Sequence, residues 1–147
     1  MEGNRATVVC IDNWSLFGGP KEEFLANTAA CISDRMSFTF IENDFRQVDY
    51  SGIGKFNIYL FDGPHSKQDQ YDGVTFALPA LDDQFVFIVD DWNWQGVRDG
   101  THEAIAASGL RVLFSIEVRT TQDDSHAEAA RQYSDWHNGY FLSVLSK

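Results

Sequence analysis

The chain alternates short, almost uninterrupted apolar runs with segments of helical periodicity, and this alternation limits its fold most strongly. Runs that are apolar at nearly every position are typical of strands that helices cover on both faces. Strands separated by helices predict an α/β fold with a mostly parallel sheet. Six runs are predicted to be strands: Thr7–Asp12, Ser37–Glu42, Phe56–Asp62, Phe85–Asp90, Leu110–Val118 and Tyr140–Leu145.

The first two predicted helices have clear start signals. The first is expected to begin at Pro20, with acidic residues in its first turn, because proline fits the first helical position and the helix dipole favours acids there. Its predicted buried stripe is Leu25, Ala29 and Ile32. The second is expected to begin at the capping box Ser66–Asp69 and to end at Pro79. Its predicted apolar face is Tyr71, Val74 and Leu78.

Two further helices are predicted in the second half of the chain. One is expected from about residue 99 to residue 108, with Gly109 as its C-terminal cap. The other is expected to open with the capping box Ser125–Glu128 and to continue towards Trp136. No stretch marks a linker or repeat, so the 147 residues are expected to form a single domain.

Composition narrows the classes of partner. The formal net charge of −11 argues against nucleic acid, because proteins that neutralise phosphates carry basic patches. No apolar run approaches the length of a membrane span, and no secretory signal is recognisable, so a cytoplasmic protein is expected. The two cysteines, Cys10 and Cys31, have neither disulfide-framework nor zinc-site spacing, and both are interpreted as small buried hydrophobes.

Four successive predicted strands end in carboxylates, three of them beside an aromatic ring. In open α/β sheets ligands bind beyond the carboxyl ends of the strands, so these residues are the candidates for a functional site. Asp and Asn also favour turns and helix caps wherever strands stop, and that interpretation stays open for each position. The four strand ends are Asp12–Ser15, Glu42–Phe45, Asp62–Ser66 and Asp90–Trp94.

The stretches Val9–Ser15, Leu60–Ser66 and Ile88–Trp94 resemble the class I S-adenosylmethionine-dependent methyltransferases, and more closely their small-molecule O-methyltransferase branch. The resemblance runs from residue 7 to about residue 118. It implies a Rossmann-like three-layer αβα sandwich whose mostly parallel sheet has an antiparallel last strand. It also implies S-adenosylmethionine as cofactor, Mg²⁺ as metal and a small molecule as methyl acceptor.

The resemblance assigns cofactor contacts to two strand ends. Asp12 falls where the family holds the ribose hydroxyls, beside Asn13, and a carboxylate can accept two hydroxyl hydrogens at once. Asp44 falls where the family approaches the adenine, with Phe45 as a ring contact. Trp14 is a candidate to cover the adenosine, although a Trp beside a strand end is more often plain packing.

The resemblance also implies a metal site formed by Asp62, Asp90 and Asp91. Carboxylates are hard oxygen ligands that suit Mg²⁺, which lowers the pKa of a bound hydroxyl. His65 falls where relatives carry a general base, a role that imidazole can fill at neutral pH. Purely structural roles remain as alternatives to these functional ones. His65 could be a histidine at a helix start that bonds to the backbone, and Asp90 and Asp91 could be one structural cap and one solvated acid. No chemistry is assigned to the other histidines, His102, His126 and His137.

One departure from the family pattern is large: no strand with a Gly-rich turn precedes Thr7. Gly18 and Gly19 follow the wrong strand to supply that turn. Since the missing strand is central in the family's sheet, the strands ending at Asp12 and Asp62 are expected either to pair directly or to be completed by another chain. A homodimer that covers this gap is therefore expected. The simplest account is that the chain is the C-terminal portion of a longer methyltransferase.

Two functional hypotheses follow. The first is Mg²⁺-assisted O-methyl transfer from S-adenosylmethionine to a small hydroxylated acceptor. The second is a catalytically inactive, methyltransferase-derived fragment that self-associates or binds a partner. A receiver-type phosphoacceptor domain is weaker, because no Lys follows the later strands, and a nicotinamide-binding domain is disfavoured because G-x-G-x-x-G is absent.

Overall fold

The computed structural model describes residues 5–16, 18–128 and 136–147. These residues form two compact units, which divide between Asp49 and Tyr50 and are described separately. Every helix in the described ranges is too short or too polar to cross a lipid bilayer.

The first unit is a two-stranded parallel sheet with one helix. Strands β1 (Ala6–Asp12) and β2 (Met36–Glu42) pair in register from end to end, and helix α1 (Lys21–Cys31) connects them. Both strands were predicted to within one residue at their starts, and both predicted carboxyl ends are confirmed. Pro20 is the N-cap of α1, one position before the expected one.

The predicted buried stripe of α1 is wrong, because Leu25, Ala29 and Ile32 are all exposed. The neighbouring face carries Phe24, whose ring lies 5.5 Å from the ring of Phe40. Successive helix positions are about 100° apart, so a helix that directs Phe24 at the sheet turns the Leu25 stripe away from it. Among the cysteines, burial raises the pKa of the half-buried Cys10 thiol. Cys31 is exposed, so its interpretation as buried is wrong.

The second unit has a four-stranded sheet in the order β3–β4–β6–β5. Strands β3 and β4 are parallel, and β6 runs antiparallel to both β4 and β5. This arrangement confirms the predicted α/β class with an antiparallel last strand. The strands are β3 (Phe56–Phe61), β4 (Leu81–Asp90), β5 (Arg111–Val118) and β6 (Tyr140–Ser146).

The strands that end at Asp12 and Asp62 belong to two different sheets, one in each unit, in the described part of the chain. There β1 pairs only with β2, and β3 only with β4. One backbone edge of β1 and one of β3 are thus unpaired among the described strands.

Two helices cover one face of the four-stranded sheet: α2 (Lys67–Ala77) and α3 (Gln95–Ala107). The hydroxyl of Tyr59 in β3 donates to the carbonyl of Gly73 in α2, at 2.8 Å. The ring of Phe61 fills the space where a Cβ on Gly73 would lie. The helices also approach each other closely, since a Cβ on Gly100 would overlap the carbonyl oxygen of Lys67.

The helix boundaries match the predictions unevenly. The capping box of α2 is confirmed, with Ser66 Oγ accepting from the Asp69 amide at 3.1 Å. Its predicted apolar face is only partly right: Val74 is buried, Tyr71 and Leu78 are half-buried, and the helix buries Gln70, Gly73 and Ala77. The helix α3 begins at Gln95, four residues earlier than expected, and Gly109 follows it at φ 67° as the predicted cap.

The predicted fourth helix does not form over its described residues. Residues 125–128 are not helical, and the Ser125 hydroxyl donates to the Asp123 carboxylate at 2.6 Å, so its predicted capping role is wrong. The pairing also lowers the pKa of Asp123. Residues 129–135, where the helix was to continue, lie outside the described residues.

The other face of the four-stranded sheet is apolar and is covered by no described helix or strand of the second unit. Residues that are direct partners across strands share a face of a sheet. The strand register therefore places two rows of four side chains on this face: Ile58, Val86, Val144 and Phe114, then Leu60, Ile88, Leu142 and Ile116. We call these eight residues the open face.

Candidate functional site

Three carboxylates meet at the carboxyl ends of β3 and β4. Asp62 follows β3, Asp90 ends β4, and Asp91 comes next. The parallel pairing of Leu60 with Ile88 brings both strand ends to the same edge of the sheet. One oxygen from each carboxylate lies within 4.8 Å of the other two. The residues predicted to converge are thus together, and we call them the acid cluster.

The local backbone explains how Asp90 and Asp91 are held. Asp91 adopts a left-handed φ of 59°, a conformation that Asp tolerates better than most residues. Its amide donates to Asp90 Oδ1 at 2.7 Å. Tyr140, the cross-strand partner of Asp90, also hydrogen-bonds the Asp90 side chain. The Asp90 carboxylate is therefore fixed from two sides.

Burial and crowding of charge control the titration of this site. Burial raises the pKa of Asp90, and the neighbouring negative charge of Asp91 adds to the effect. The hydrogen bonds from the Asp91 amide and from Tyr140 oppose it, because they stabilise the ionised carboxylate. Burial likewise raises the pKa of Tyr140, and the negative charge of Asp90 raises it further. An incoming cation would relieve this repulsion.

His65 is bonded to a side chain and not, as the alternative interpretation had it, to backbone. Its Nε2 lies 2.6 Å from Asp91 Oδ2. The imidazole ring also stacks on Trp94, with ring centroids 5.0 Å apart. The second oxygen of Asp91 accepts from Asn138 Nδ2 at 2.9 Å. Both oxygens of Asp91 thus have partners in the protein.

The three remaining histidines, to which the sequence assigns no chemistry, lie near the site. The ring of His102 packs edge-on to the ring of Trp92, with centroids 5.3 Å apart, and its Nε2 lies 3.9 Å from Glu117 Oε1. His126 packs edge-on to Trp94 at 4.9 Å. The charge of His137 acts on Asp90 and lowers its pKa.

Sequence reasoning missed Asn93, which is completely buried behind the site. Its Oδ1 accepts from the Thr120 amide at 2.9 Å, and its Nδ2 donates to Thr120 Oγ1 at 2.9 Å and to the Ser125 carbonyl. This one side chain fastens the segment after β5 to the end of β4. The sequence places Asn93 in the strand-end stretch Ile88–Trp94, which marks it as a candidate. It does not indicate the partners, Thr120 and Ser125, which lie 27 and 32 residues further along the chain.

Sequence reasoning also missed the structural role of Trp92. This ring is fully buried, stacks on Phe141 at 4.6 Å and donates from Nε1 to Glu117 at 2.9 Å. Its amide donates to the Gly139 carbonyl, which ties the residues after β4 to those before β6. Trp92 therefore braces the acid cluster from behind.

The donor set of the acid cluster fits a hard divalent cation. Oxygens that ligate one Mg²⁺ at about 2.1 Å lie roughly 3 Å apart when adjacent and about 4.2 Å apart when opposite. The separations here, at most 4.8 Å, need a small contraction to reach that geometry. Carboxylate oxygens alone, with no sulfur and no direct nitrogen in the group, favour Mg²⁺ over softer metals.

In the first unit, the predicted cofactor residues after β1 form a tight turn. Asp12 Oδ1 accepts from the Trp14 amide at 2.6 Å, and Asn13 Oδ1 accepts from the Ser15 amide at 3.1 Å. Trp14 has a left-handed φ of 57°, and its ring packs 5.3 Å from that of Phe24. Its buried Nε1 has no hydrogen-bond partner among the described residues. The ring thus packs within this unit, and its role in covering an adenosine stays a prediction.

The predicted residues after β2 form a second turn. Asp44 Oδ1 accepts from the Arg46 amide at 2.9 Å and caps the short 3₁₀ helix Phe45–Gln47. The Arg46 guanidinium lies over the Phe45 ring, 4.4 Å from its centroid. The Asn43 amide donates to the Asp12 carbonyl at 3.1 Å, so the two strand ends are adjacent. Asp12 and Asp44 thus belong to one edge of this sheet.

Comparison with known proteins gives structural matches only: no protein-family model and no curated protein sequence matches the chain. The O-methyltransferase TomG from Streptomyces achromogenes, solved with S-adenosylmethionine, matches with a TM-score of 0.57 and 17% identity over 95% of this chain and 61% of its own. The N-methyltransferase NodS from Bradyrhizobium japonicum WM9 matches with a TM-score of 0.50 and 12% identity over 97% and 73%.

A Streptococcus mutans protein, described as an S-adenosylmethionine-dependent methyltransferase, matches with a TM-score of 0.55 and 10% identity over 95% of this chain. The fold is Rossmann-like and shared with methyltransferases. The chain spans 38% of the Streptococcus mutans protein and 61% of TomG, less than two thirds of either. The matched structures transfer methyl groups to different atoms, so the likeness reaches the fold and not the acceptor.

Proposed function

We propose that this chain takes part in S-adenosylmethionine-dependent methyl transfer, with Mg²⁺ assisting transfer to a hydroxyl of a small acceptor. The observation that carries the proposal is the acid cluster, three carboxylates gathered at the carboxyl ends of adjacent parallel strands. In open α/β sheets that edge is where ligands bind. The shared fold supports the cofactor, and the cluster supports the metal.

Asp12 is the proposed ribose contact. It is exposed, and among the described residues its side chain accepts one hydrogen bond, from the Trp14 amide to Oδ1. An ionised carboxylate has about four acceptor positions, so capacity remains for a pair of hydroxyl groups. Asp44 and Phe45, on the same edge of the two-stranded sheet, are the proposed adenine contacts. Asn13 orients the turn through its bond to the Ser15 amide.

Asp62, Asp90 and Asp91 are the proposed metal ligands. When bound, Mg²⁺ would lower the pKa of the acceptor hydroxyl and hold it in place. Asp90 is fixed by Tyr140 and by the Asp91 amide, so it offers a preformed oxygen. Asp91 shares its Oδ2 with His65, so metal and imidazole would use the same carboxylate.

His65 is the proposed general base, and its bond to Asp91 decides which nitrogen acts. An ionised carboxylate only accepts hydrogen bonds, so the Nε2 that faces Asp91 carries the proton. Nδ1 is then the basic nitrogen and takes the proton of the acceptor hydroxyl. Asp91 stabilises the imidazolium that results, as a carboxylate does in other acid–base pairs.

Calorimetric titration of S-adenosylmethionine and of its demethylated product, with and without Mg²⁺, tests the proposal. We expect micromolar binding that Asp12→Ala abolishes. Asp12→Asn keeps the acceptor for the Trp14 amide and so preserves the turn, and it is expected to weaken binding by about tenfold, through loss of charge and of one acceptor. Asp34→Asn, an exposed acid elsewhere in the same unit, is the control and should bind normally.

The absence of heat at millimolar cofactor, in protein that is folded by circular dichroism, would overturn the enzymatic proposal. The second hypothesis, a domain that acts through contacts, would then take its place. The observation that favours it is the open face, an apolar sheet surface in the second unit that the enzymatic proposal does not use.

A further inference from the structure

The open face is the largest feature of the second unit that the proposed function does not use. Its four most exposed side chains are Ile58 at 60%, Leu60 at 57%, Phe114 at 56% and Ile116 at 48%. The other four, in the central strands β4 and β6, are half-buried. No described helix or strand of the second unit packs on them, whereas α2 and α3 cover the opposite face.

The assignment of these residues to one face rests on two independent facts. Tyr59, Phe61 and Phe87 point towards α2, as the Tyr59–Gly73 bond and the 5.4 Å stack of Tyr59 on Phe87 show. Side chains alternate along a strand, so Ile58 and Leu60 point the other way. Their cross-strand partners then carry the face through β4 and β6 to β5.

We propose that a second copy of this chain docks on the open face, sheet against sheet. From the exposed fractions of its four most exposed side chains, with smaller contributions from the four half-buried ones, the face offers about 500 to 600 Å² of apolar surface. That is the upper end of the range for the largest apolar patch on a monomer. Two such faces would bury about 1,000 to 1,200 Å², which reaches the lower limit of a stable interface.

The composition of the face suits a copy of itself. All eight side chains are aliphatic or aromatic, with no ionisable group among them, so two copies meet without burying a charge. Isologous contact requires only that the patch be self-complementary, and flat apolar sheets pack face to face at about 10 Å in β-sandwiches. The residues that give the chain its formal charge of −11 lie outside these eight positions, so their mutual repulsion would act around the contact and not within it.

The row that follows the two apolar rows contains the candidate site. Asp90 pairs with Tyr140, which pairs with Val118, and Asp62 lies beside Asp90. The acid cluster is thus the rim of the open face at the carboxyl ends of β3 and β4. A docked copy would exclude water from the apolar rows up to this rim, while leaving the carboxylates at the edge of the contact.

Sedimentation velocity from low to high micromolar protein, without cofactor, tests the proposal independently of any catalytic role. We expect a reversible monomer–dimer equilibrium. Leu60→Glu and Ile116→Glu, on different strands of the open face, should each weaken dimerisation by about tenfold or more, since each buries a charge in an apolar contact. Phe76→Glu is the matched control, because Phe76 is 43% exposed on α2, on the covered side, and it should dimerise as the parent chain does.

Circular dichroism of each variant establishes that it is folded, and either open-face variant suffices if the other is not. A parent chain that stays monomeric at high micromolar concentration would overturn the proposal. Dimers that persist in both open-face variants would also overturn it, and would indicate that the chains associate through another surface, such as the strand edges of β1 and β3. Open-ended assemblies in place of a dimer would also contradict it.

Discussion

The imidazole Nε2 of His65 lies 2.6 Å from Asp91 Oδ2, and this pair connects the residues before α2 to the residue after β4. Asn138 holds the other oxygen of the same carboxylate at 2.9 Å. The resemblance assigns a general base to His65 and a metal-binding role to Asp91, as two separate functions. The structure joins them, so a change at either residue is expected to alter the behaviour of both.

The first prediction concerns the tautomer of His65. With Asp91 as partner, neutral His65 should carry its proton on Nε2, and Asp91→Asn should shift the population towards the Nδ1-protonated form because the anionic acceptor is lost. Nitrogen NMR shifts of the imidazole distinguish the two forms. Asp99→Asn, which removes a charge on α3 without contacting His65, should leave the population unchanged. An unchanged tautomer in Asp91→Asn would contradict this assignment.

The second prediction concerns metal binding by the acid cluster. Asp62→Asn and Asp90→Asn should each weaken binding of Mn²⁺, a paramagnetic substitute for Mg²⁺, by about tenfold or more, since even changes outside the ligand set cost 10- to 100-fold. Electron paramagnetic resonance of free Mn²⁺ measures this without any activity assay. Asp83→Asn, near the opposite end of β4, is the control. Equal binding by all four proteins would exclude the cluster as the site.

The third prediction is a pH dependence of stability from Asp124. A hydrogen bond from Arg98, at 3.1 Å, is the main cause that lowers the pKa of this carboxyl below its ordinary 3.8. A carboxyl with a lowered folded-state pKa stabilises the fold above its ordinary pKa, and the contribution is lost as pH falls through the folded-state pKa. Asp124→Asn should therefore lower the free energy of unfolding at neutral pH.

Urea unfolding across this range is the measurement. The difference between the parent chain and Asp124→Asn should be constant near neutral pH and should shrink as the pH falls below 3.8. In the Arg98→Gln background, the Asp124→Asn change should have a smaller effect, because the main cause of the shift is gone. A difference that is independent of pH would show that the ion pair is not its source.

The fourth prediction concerns the contact between α2 and α3. A Cβ at Gly100 would overlap the Lys67 carbonyl oxygen and lie 2.8 Å from Gln70 Cβ, so Gly100→Ala must separate the helices. We expect a loss of about 1 to 3 kcal/mol in the free energy of unfolding, despite the better helix propensity of Ala. Gly109→Ala is the comparison, since that residue has open space around it and a φ of 67°. It should lose about 1 kcal/mol, from backbone strain alone.

The strands could be predicted from the sequence because the information is local. Each apolar run is bounded by polar turn residues, and five of the six strands formed within one residue of their predicted limits. The exception is β4, which begins at Leu81, four residues before its predicted start. The orientation of α1 could not be predicted in the same way. Phe24 and Leu25 both begin plausible apolar stripes. Only the position of the sheet selects between them, because the ring of Phe40 in β2 packs against the ring of Phe24.

In the candidate site, too, features set by local sequence could be predicted, whereas features set by tertiary contacts could not. That Asp62, Asp90 and Asp91 converge follows from strand ends in a parallel sheet, which a sequence can show. That Asn93 and Asn138 hold the segment after β5 and the Asp91 carboxylate depends on contacts between distant parts of the chain. Amides of this kind have no periodic signal, so their roles become visible only when the structure is known.

The order of the strands has a consequence for how the second unit is assembled. β6 follows β5 in the chain, yet it lies between β4 and β5 and supplies the only strand partner that β5 has in the described sheet. While a ribosome is still synthesising residue 140, β5 therefore has no ladder to join, and its apolar side chains stay in water. This half of the sheet forms only after β6, which lies between β4 and β5, has been synthesised. A chain interrupted before that point would expose an unpaired, aggregation-prone segment to chaperones and proteases.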